Sequence, residues 1–170
     1  MEKGLVHIYT GDGKGKTTAS FGLAMRCAGY GKSIKIFQFL KGIPSGEVTS
    51  CNILGISISR VSSSDKFYFQ MNHQEKEIAK NESITALKDI YKHNWDMIIL
   101  DEVLGLIEND IITEGYLIDI INAKPKNTEL VITGRNMPQS LTKYADYISE
   151  IKEIKHPFQN NIPARKSIDF

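Results

Sequence analysis

Leu5-Val-His-Ile-Tyr-Thr-Gly11-Asp-Gly-Lys-Gly-Lys16-Thr-Thr18 runs from a short apolar strand into a glycine- and lysine-rich turn and then into a helix start. Gly11, Gly13 and Gly15 let backbone N–H groups point inward without Cβ interference. The following helix adds its unpaired N-terminal donors, and Lys16 brings a point charge to phosphate oxygens. Thr17 carries the hydroxyl that suits Mg2+, while Asp12, Lys14 and Thr18 complete the candidate nucleotide loop. The strict pattern G-x-x-x-x-G-K-[ST] puts its first glycine at position 10, where this chain has Thr10, and the glycine falls instead at Gly11. This is a variant phosphate-binding loop. The plain alternative is a turn that merely caps a helix; three alternating glycines, two lysines and two threonines directly after a strand weigh against it.

The totals bound the rest. With 170 residues the chain fits one domain, and a domain of this size buries roughly 70% of its unfolded surface. A net charge of +1, from 21 basic and 20 acidic residues, provides no global field for nucleic acid or anionic lipid, so phosphate binding has to be local. Cys27 and Cys51 form no metal-spaced pair, and without a signal peptide they read as reduced thiols of a cytoplasmic protein. No apolar run reaches the roughly 18 residues of a membrane span.

Short, β-branched apolar runs at 5–9, 33–39, 56–61, 95–100, 129–133 and 147–151 read as strands. Ala19, Leu23 and Cys27 at four-residue spacing before Gly29 predict a first helix. Asn72 with Glu75 three residues later forms a capping box that opens a long helix to about His93. Further helices are expected near 46–54, 114–123 and 138–145, the last entered through Pro138. Alternating strands and helices imply an α/β fold: one P-loop NTPase-like (RecA-like) domain over 1–170, with a mostly parallel sheet of about six strands and helices on both faces. Ligands then sit at the carboxyl ends of the strands. Residues 154–170 are expected to form an irregular tail, whose last part serves as a lid, serves as an interface arm or is disordered.

Trp95-Asp-Met-Ile-Ile-Leu-Asp101-Glu102 is an almost unbroken apolar strand ending in two carboxylates, the form of a Walker B strand. One carboxylate can hold Mg2+ while its neighbour anchors a structural hydrogen bond, and spacing does not tell them apart. Val131-Ile-Thr-Gly134-Arg135-Asn136 ends another strand with a guanidinium on the same rim as Lys16; a third positive group on the triphosphate and a surface ion pair are equal readings of Arg135. Gln38-Phe-Leu-Lys41-Gly42 repeats the arrangement after the second strand, making Gln38 and Lys41 rim candidates. Phe67-Tyr68-Phe69 either pins the following helix to the sheet or forms a platform for a large flat ligand. His7, His73, His93 and His156 stand apart and are assigned to no metal, and no nucleophile elbow or Cys–His pattern supports covalent catalysis.

In order and spacing, Thr-Gly-Asp-Gly-Lys-Gly-Lys-Thr-Thr, Gln38-Phe-Leu-Lys-Gly, Ile-Leu-Asp101-Glu102, Ile-Thr-Gly134-Arg135-Asn136 and Lys155-His156-Pro157-Phe158 resemble the P-loop ATP:corrinoid adenosyltransferases over nearly the whole chain. The shifted first glycine is the form that family uses. The resemblance implies attack of Co(I) in a reduced corrinoid on the 5' carbon of ATP, giving an adenosylcorrinoid and inorganic triphosphate, with ATP lying in the loop in the reverse of the usual sense. It assigns Lys16, Lys14, Arg135 and Mg2+ (or Mn2+) to the charge of the leaving triphosphate, and Thr17 and Glu102 to the metal. It makes Phe67 and Phe69 the wedge that displaces the lower axial ligand. Relatives have tryptophan where Phe69 stands and often glycine where Lys66 stands. Met1 to Gly4 precede the first strand, where some relatives carry a helix that covers a partner subunit's corrinoid; here another segment is expected to cover it, or it stays more exposed. A cytoplasmic homodimer supplied by an electron donor such as a flavoprotein is implied in the same way.

No Asp-x-His-x-x-Gly string occurs, so the chain reads as a maker of the cofactor and not as a user of it. The main rival is an ordinary P-loop ATPase or kinase, which accounts for the two phosphate motifs but not for the shifted glycine or the Ile-Thr-Gly-Arg-Asn and Lys-His-Pro-Phe strings. A binding-only regulator is the third class; intact Lys16, Thr17 and Glu102 argue against loss of the nucleotide site.

Overall fold

Strand pairing organises the chain in a computed structural model that describes residues 2–41 and 45–169. The six strands are β1 (Val6–Thr10), β2 (Ile34–Gln38), β3 (Ser57–Arg60), β4 (Met97–Asp101), β5 (Glu129–Thr133) and β6 (Tyr147–Glu150). They form one sheet in the order β3-β2-β4-β5-β1-β6, and every pairing is parallel. Central strands of such a sheet are covered on both faces, which is why β4 can be apolar without alternation: all five of its residues are buried. The edge strand β6 is exposed along its whole length.

Successive β4 side chains face opposite layers. Met97 and Ile99 join Ile34, Ile36 and Val131 under α1 (Lys16–Ala28) and α2 (Gly46–Ile53), which contribute Phe21, Ala24 and Cys51. Ile98 and Leu100 face the larger layer, with Ile8, Leu130 and Ile132, under α3 (His73–Asp89), α4 (Leu104–Glu108) and α5 (Glu114–Asn122). Helices thus lie on both faces, as the alternation of elements requires.

The capping box holds in both directions: Glu75 N donates to Asn72 Oδ1 at 2.9 Å, and Asn72 N donates to Glu75 Oε2 at 2.8 Å. α3 ends at Asp89, short of the expected His93, because Ile90 turns into the core and Tyr91 donates its hydroxyl to Ile120 O at 2.9 Å. Pro138 leads into a helix as expected, but Gln139–Tyr144 is 3-10 instead of α. α4 escaped periodicity because five residues span little more than one turn and its first three are buried. Among the described residues no helix is long and apolar enough to cross a membrane.

Candidate active site

The loop between β1 and α1 is built for close backbone packing. A Cβ on Gly11 would stand 2.4 Å from Ile151 O, and one on Gly13 would stand 2.7 Å from the Lys152 carbonyl carbon. Gly13 N donates to Ile151 O at 2.8 Å, so this amide holds the loop to the segment after β6 and does not point inward as the sequence suggested. Gly15 has open space around it, yet its φ of 123° places it where only glycine is unstrained. Lys16, the first residue of α1, is 7% exposed, and its Nζ donates to Gly11 O at 2.6 Å and Gly13 O at 2.9 Å. Burial lowers the pKa of this ammonium, with Glu102 acting in the opposite direction.

Register then assembles the second half of the site. β2 and β4 place Gln38 opposite Asp101, and β1 and β5 place Tyr9 opposite Thr133. Among the described residues the Asp101 carboxylate, 0% exposed, receives four donors: Thr17 Oγ1 at 3.0 Å and Thr133 Oγ1 at 2.8 Å on Oδ1, Lys41 Nζ at 2.9 Å and Gln38 Nε2 at 3.3 Å on Oδ2. Asp101 is therefore an internal anchor. Glu102 differs from its neighbour. Its backbone sits at φ 63°, its N–H donates to Thr133 Oγ1 at 2.9 Å, and its side chain lines the cleft beside Lys16 and Thr17. Burial, then the Asp101 charge, raises the pKa of the Glu102 carboxyl. Left-handed backbone on a non-glycine residue together with a costly buried charge is the combination found where function opposes stability.

The cleft encloses about 710 Å³. Lys14, Lys16, Thr17, Thr18, Lys41 and Glu102 form a charged end, and Phe21 and Met25 of α1 face Cys51 and Leu54 of the α2 side at an apolar end. A polyanion joined to a flat, mostly apolar group matches both ends. The Cys51 thiol is pushed up to about 11 by burial, and Cys27 is also raised, so both behave as packing groups. Among the described residues no group of three His, Cys, Asp or Glu side chains is placed to hold a metal.

Other candidates lie outside the cleft lining. Asp12 is exposed, and its charge acts on Lys16 by raising its pKa. Arg135 is also exposed; its charge acts on both Lys16 and Glu102. It follows Gly134, where a Cβ would stand 2.5 Å from Leu104 Cβ. The aromatic triplet divides between its two readings. Tyr68 packs against the core, whereas Phe67 and Phe69, 40% and 79% exposed, stack with ring centroids 5.7 Å apart and planes 9° from parallel. Lys66 pairs with Glu75 at 2.6 Å, tying the exposed rings to the α3 cap. His7 is occupied at the amino end of the sheet, bonded to Glu129 and stacked on Tyr147. Gly42 lies outside the described residues. Thr133 was not singled out from sequence; its position at the carboxyl end of β5, next to the loop-bearing β1, was the available signal.

Residues 2–170 match the family described as ATP:corrinoid adenosyltransferase BtuR/CobO/CobP. The chain is 31% identical to corrinoid adenosyltransferase CobA of Salmonella typhimurium, with 99% of this chain and 87% of the relative covered. It is 30% identical to corrinoid adenosyltransferase of Escherichia coli K12 over the same shares. A corrinoid adenosyltransferase of Sinorhizobium sp is 31% identical, with 99% of this chain and 81% of the relative covered. The chain belongs to the ATP:corrinoid adenosyltransferase family.

Proposed function

We propose that the chain transfers the 5'-deoxyadenosyl group of ATP to Co(I) of a reduced cobalamin or corrinoid precursor and releases inorganic triphosphate. In this reading a Co–C bond forms as the C5'–O bond breaks. The electron pair of that bond leaves on the triphosphate, and cobalt is formally oxidised from Co(I) to Co(III). The supporting observation is the two-ended cleft, whose charged end carries Lys14, Lys16, Thr17, Lys41 and Glu102 beside an apolar end lined by Phe21, Met25, Cys51 and Leu54.

Co(I) is itself the nucleophile, so no protein base is required. The residues' work is orientation and charge stabilisation. Lys16, spanning the Gly11 and Gly13 carbonyls, holds a cation inside the loop, while Lys14 and Arg135 add positive charge at its rim. The remaining candidate contacts are the Gly11, Asp12 and Gly15 backbone, the Thr18 hydroxyl, Lys41, and Gln38 acting through Asp101, while Gly13 holds the loop to Ile151 and to Lys16. The Thr17 hydroxyl and Glu102 carboxylate are hard oxygen donors that both line the cleft, which fits Mg2+ held by one or two protein oxygens with phosphate and water completing the shell. Bound there, Mg2+ supplies charge to the leaving triphosphate. Phe67 and Phe69 offer an exposed apolar face for the corrin. A homodimer and a separate electron donor complete the proposal.

The test is an anaerobic incubation with MgATP and Co(I) cobalamin, following the light-sensitive adenosylcobalamin spectrum and the phosphate products. Adenosylcobalamin with equimolar triphosphate is expected. ADP and phosphate without a corrin change would replace this reading with an ordinary ATPase.

A further inference from the structure

The segment Arg165–Asp169 lies across the charged end of the cleft, where Ser167, Ile168 and Asp169 line the same wall space as Lys14 to Thr18 and Glu102. Among the described residues two polar contacts hold it to the loop, both to one side chain. Lys14 Nζ pairs with Asp169 Oδ1 at 2.9 Å and donates to Ile168 O at 3.1 Å. The segment is also closed on itself: Asp169 Oδ2 accepts from Arg165 N at 2.8 Å and from Arg165 Nε at 3.2 Å, while Asp169 N donates to Arg165 O at 2.8 Å. Ser167, at φ 71°, makes the left-handed turn that brings the two ends together.

Every residue from Pro157 to Asp169 is exposed, and Ile168, which lines the cleft, is itself 60% exposed, so among the described residues apolar burial does little to fasten this turn to the domain. Its attachment at the loop rests on Lys14 and a partly exposed ion pair, with side chains 48% and 21% exposed. Pairs of that kind are weak and readily exchanged. We propose that Asp169 stands in for a phosphate oxygen on Lys14, and that the 165–169 turn is a strap which incoming triphosphate displaces and which recaptures Lys14 as triphosphate leaves. This rests on the reading that triphosphate occupies the charged end.

The chemistry of the competition is direct. A carboxylate on Lys14 neutralises the cation that the polyanion needs and adds a negative charge inside its path. Lys14 first, then Arg165, holds the Asp169 carboxyl well below the usual carboxylate range, so it is ionised wherever the enzyme works. Because Asp169 belongs to a preformed turn, its return to Lys14 costs little ordering entropy, and product release is assisted without a large domain motion.

The experiment titrates inorganic triphosphate into the full chain calorimetrically, comparing the parent with Asp169→Asn and Lys16→Ala. It also follows trypsin cleavage after Arg165 and Lys166 by intact mass. Asp169→Asn is expected to bind triphosphate roughly two- to fivefold more tightly, with Lys16→Ala weaker than the parent. Triphosphate should speed cleavage in the parent, while Asp169→Asn is cleaved fast without it. Equal or weaker binding by Asp169→Asn, with Lys16 still required, overturns the strap and leaves the phosphate site standing. Binding that is insensitive to Lys16 overturns both.

Discussion

Removing the Asp101 carboxylate is the most demanding test of the site as built. In Asp101→Ala, Lys41 Nζ loses an ion pair at 2.9 Å, and Thr17, Thr133 and Gln38 lose an acceptor inside a region with no solvent access to Asp101. A hydrogen bond to a charged group contributes roughly 1.5–3 kcal/mol, and breaking a buried ion pair costs about 3–5 kcal/mol. The four donors share one carboxylate and do not add, so the expected loss is about 3–5 kcal/mol, or roughly 6–20 °C in Tm for a chain of this size. Asp101→Asn keeps the oxygen facing Thr17 and Thr133 but turns an NH2 toward Lys41 and Gln38, donor against donor. A loss of about 2–3 kcal/mol is expected for it. Urea unfolding at neutral pH measures both, and Lys41→Met should cost less in the Asp101→Ala background than in the parent. A loss below about 1 kcal/mol for Asp101→Ala, the scale of a surface substitution, would refute the assignment of Asp101 as the internal anchor.

Lys16→Ala should lower turnover by about 10²–10³-fold, as loss of one preorganised donor to developing charge does; near-normal rates with Co(I) cobalamin and ATP would remove Lys16 from the mechanism. For Glu102 the folded-state pKa is raised above its ordinary value of 4.5, so the native state binds more protons and stability falls as pH rises from that value through the folded one. Glu102→Gln should therefore melt higher than the parent at neutral pH, converge with it below the ordinary carboxylate value, and lose turnover; identical neutral melting would contradict the burial argument. Phe69→Ala, at a 79% exposed position, should leave stability within about 0.5 kcal/mol. It should slow turnover from Co(II) under a weak reductant while sparing preformed Co(I), and equal losses in both assays would rule out the wedge.

Local chemistry was legible in the linear chain wherever neighbours in sequence are also the physical partners. The capping box of Asn72 and Glu75, the six strands, the entry through Pro138 and the glycine-rich turn before Lys16 all depend on residues within a few positions of one another. Their expected positions hold, apart from the end of α3, the 3-10 form of Gln139–Tyr144 and the short buried α4. The roles of Asp101 and Glu102 could not be separated by spacing. They diverge because parallel register sets Gln38 opposite Asp101, the loop-bearing β1 beside Thr133, and Glu102 in a left-handed turn facing the cleft. Gly13 gives its amide to Ile151, and Lys14 takes Asp169, across separations of 138 and 155 residues that no periodicity reports. Hydrophobic pattern and turn chemistry act over a few residues and so select elements. Hydrogen-bond partners at a sheet edge follow from strand order and register, which exist only once the chain has closed on itself.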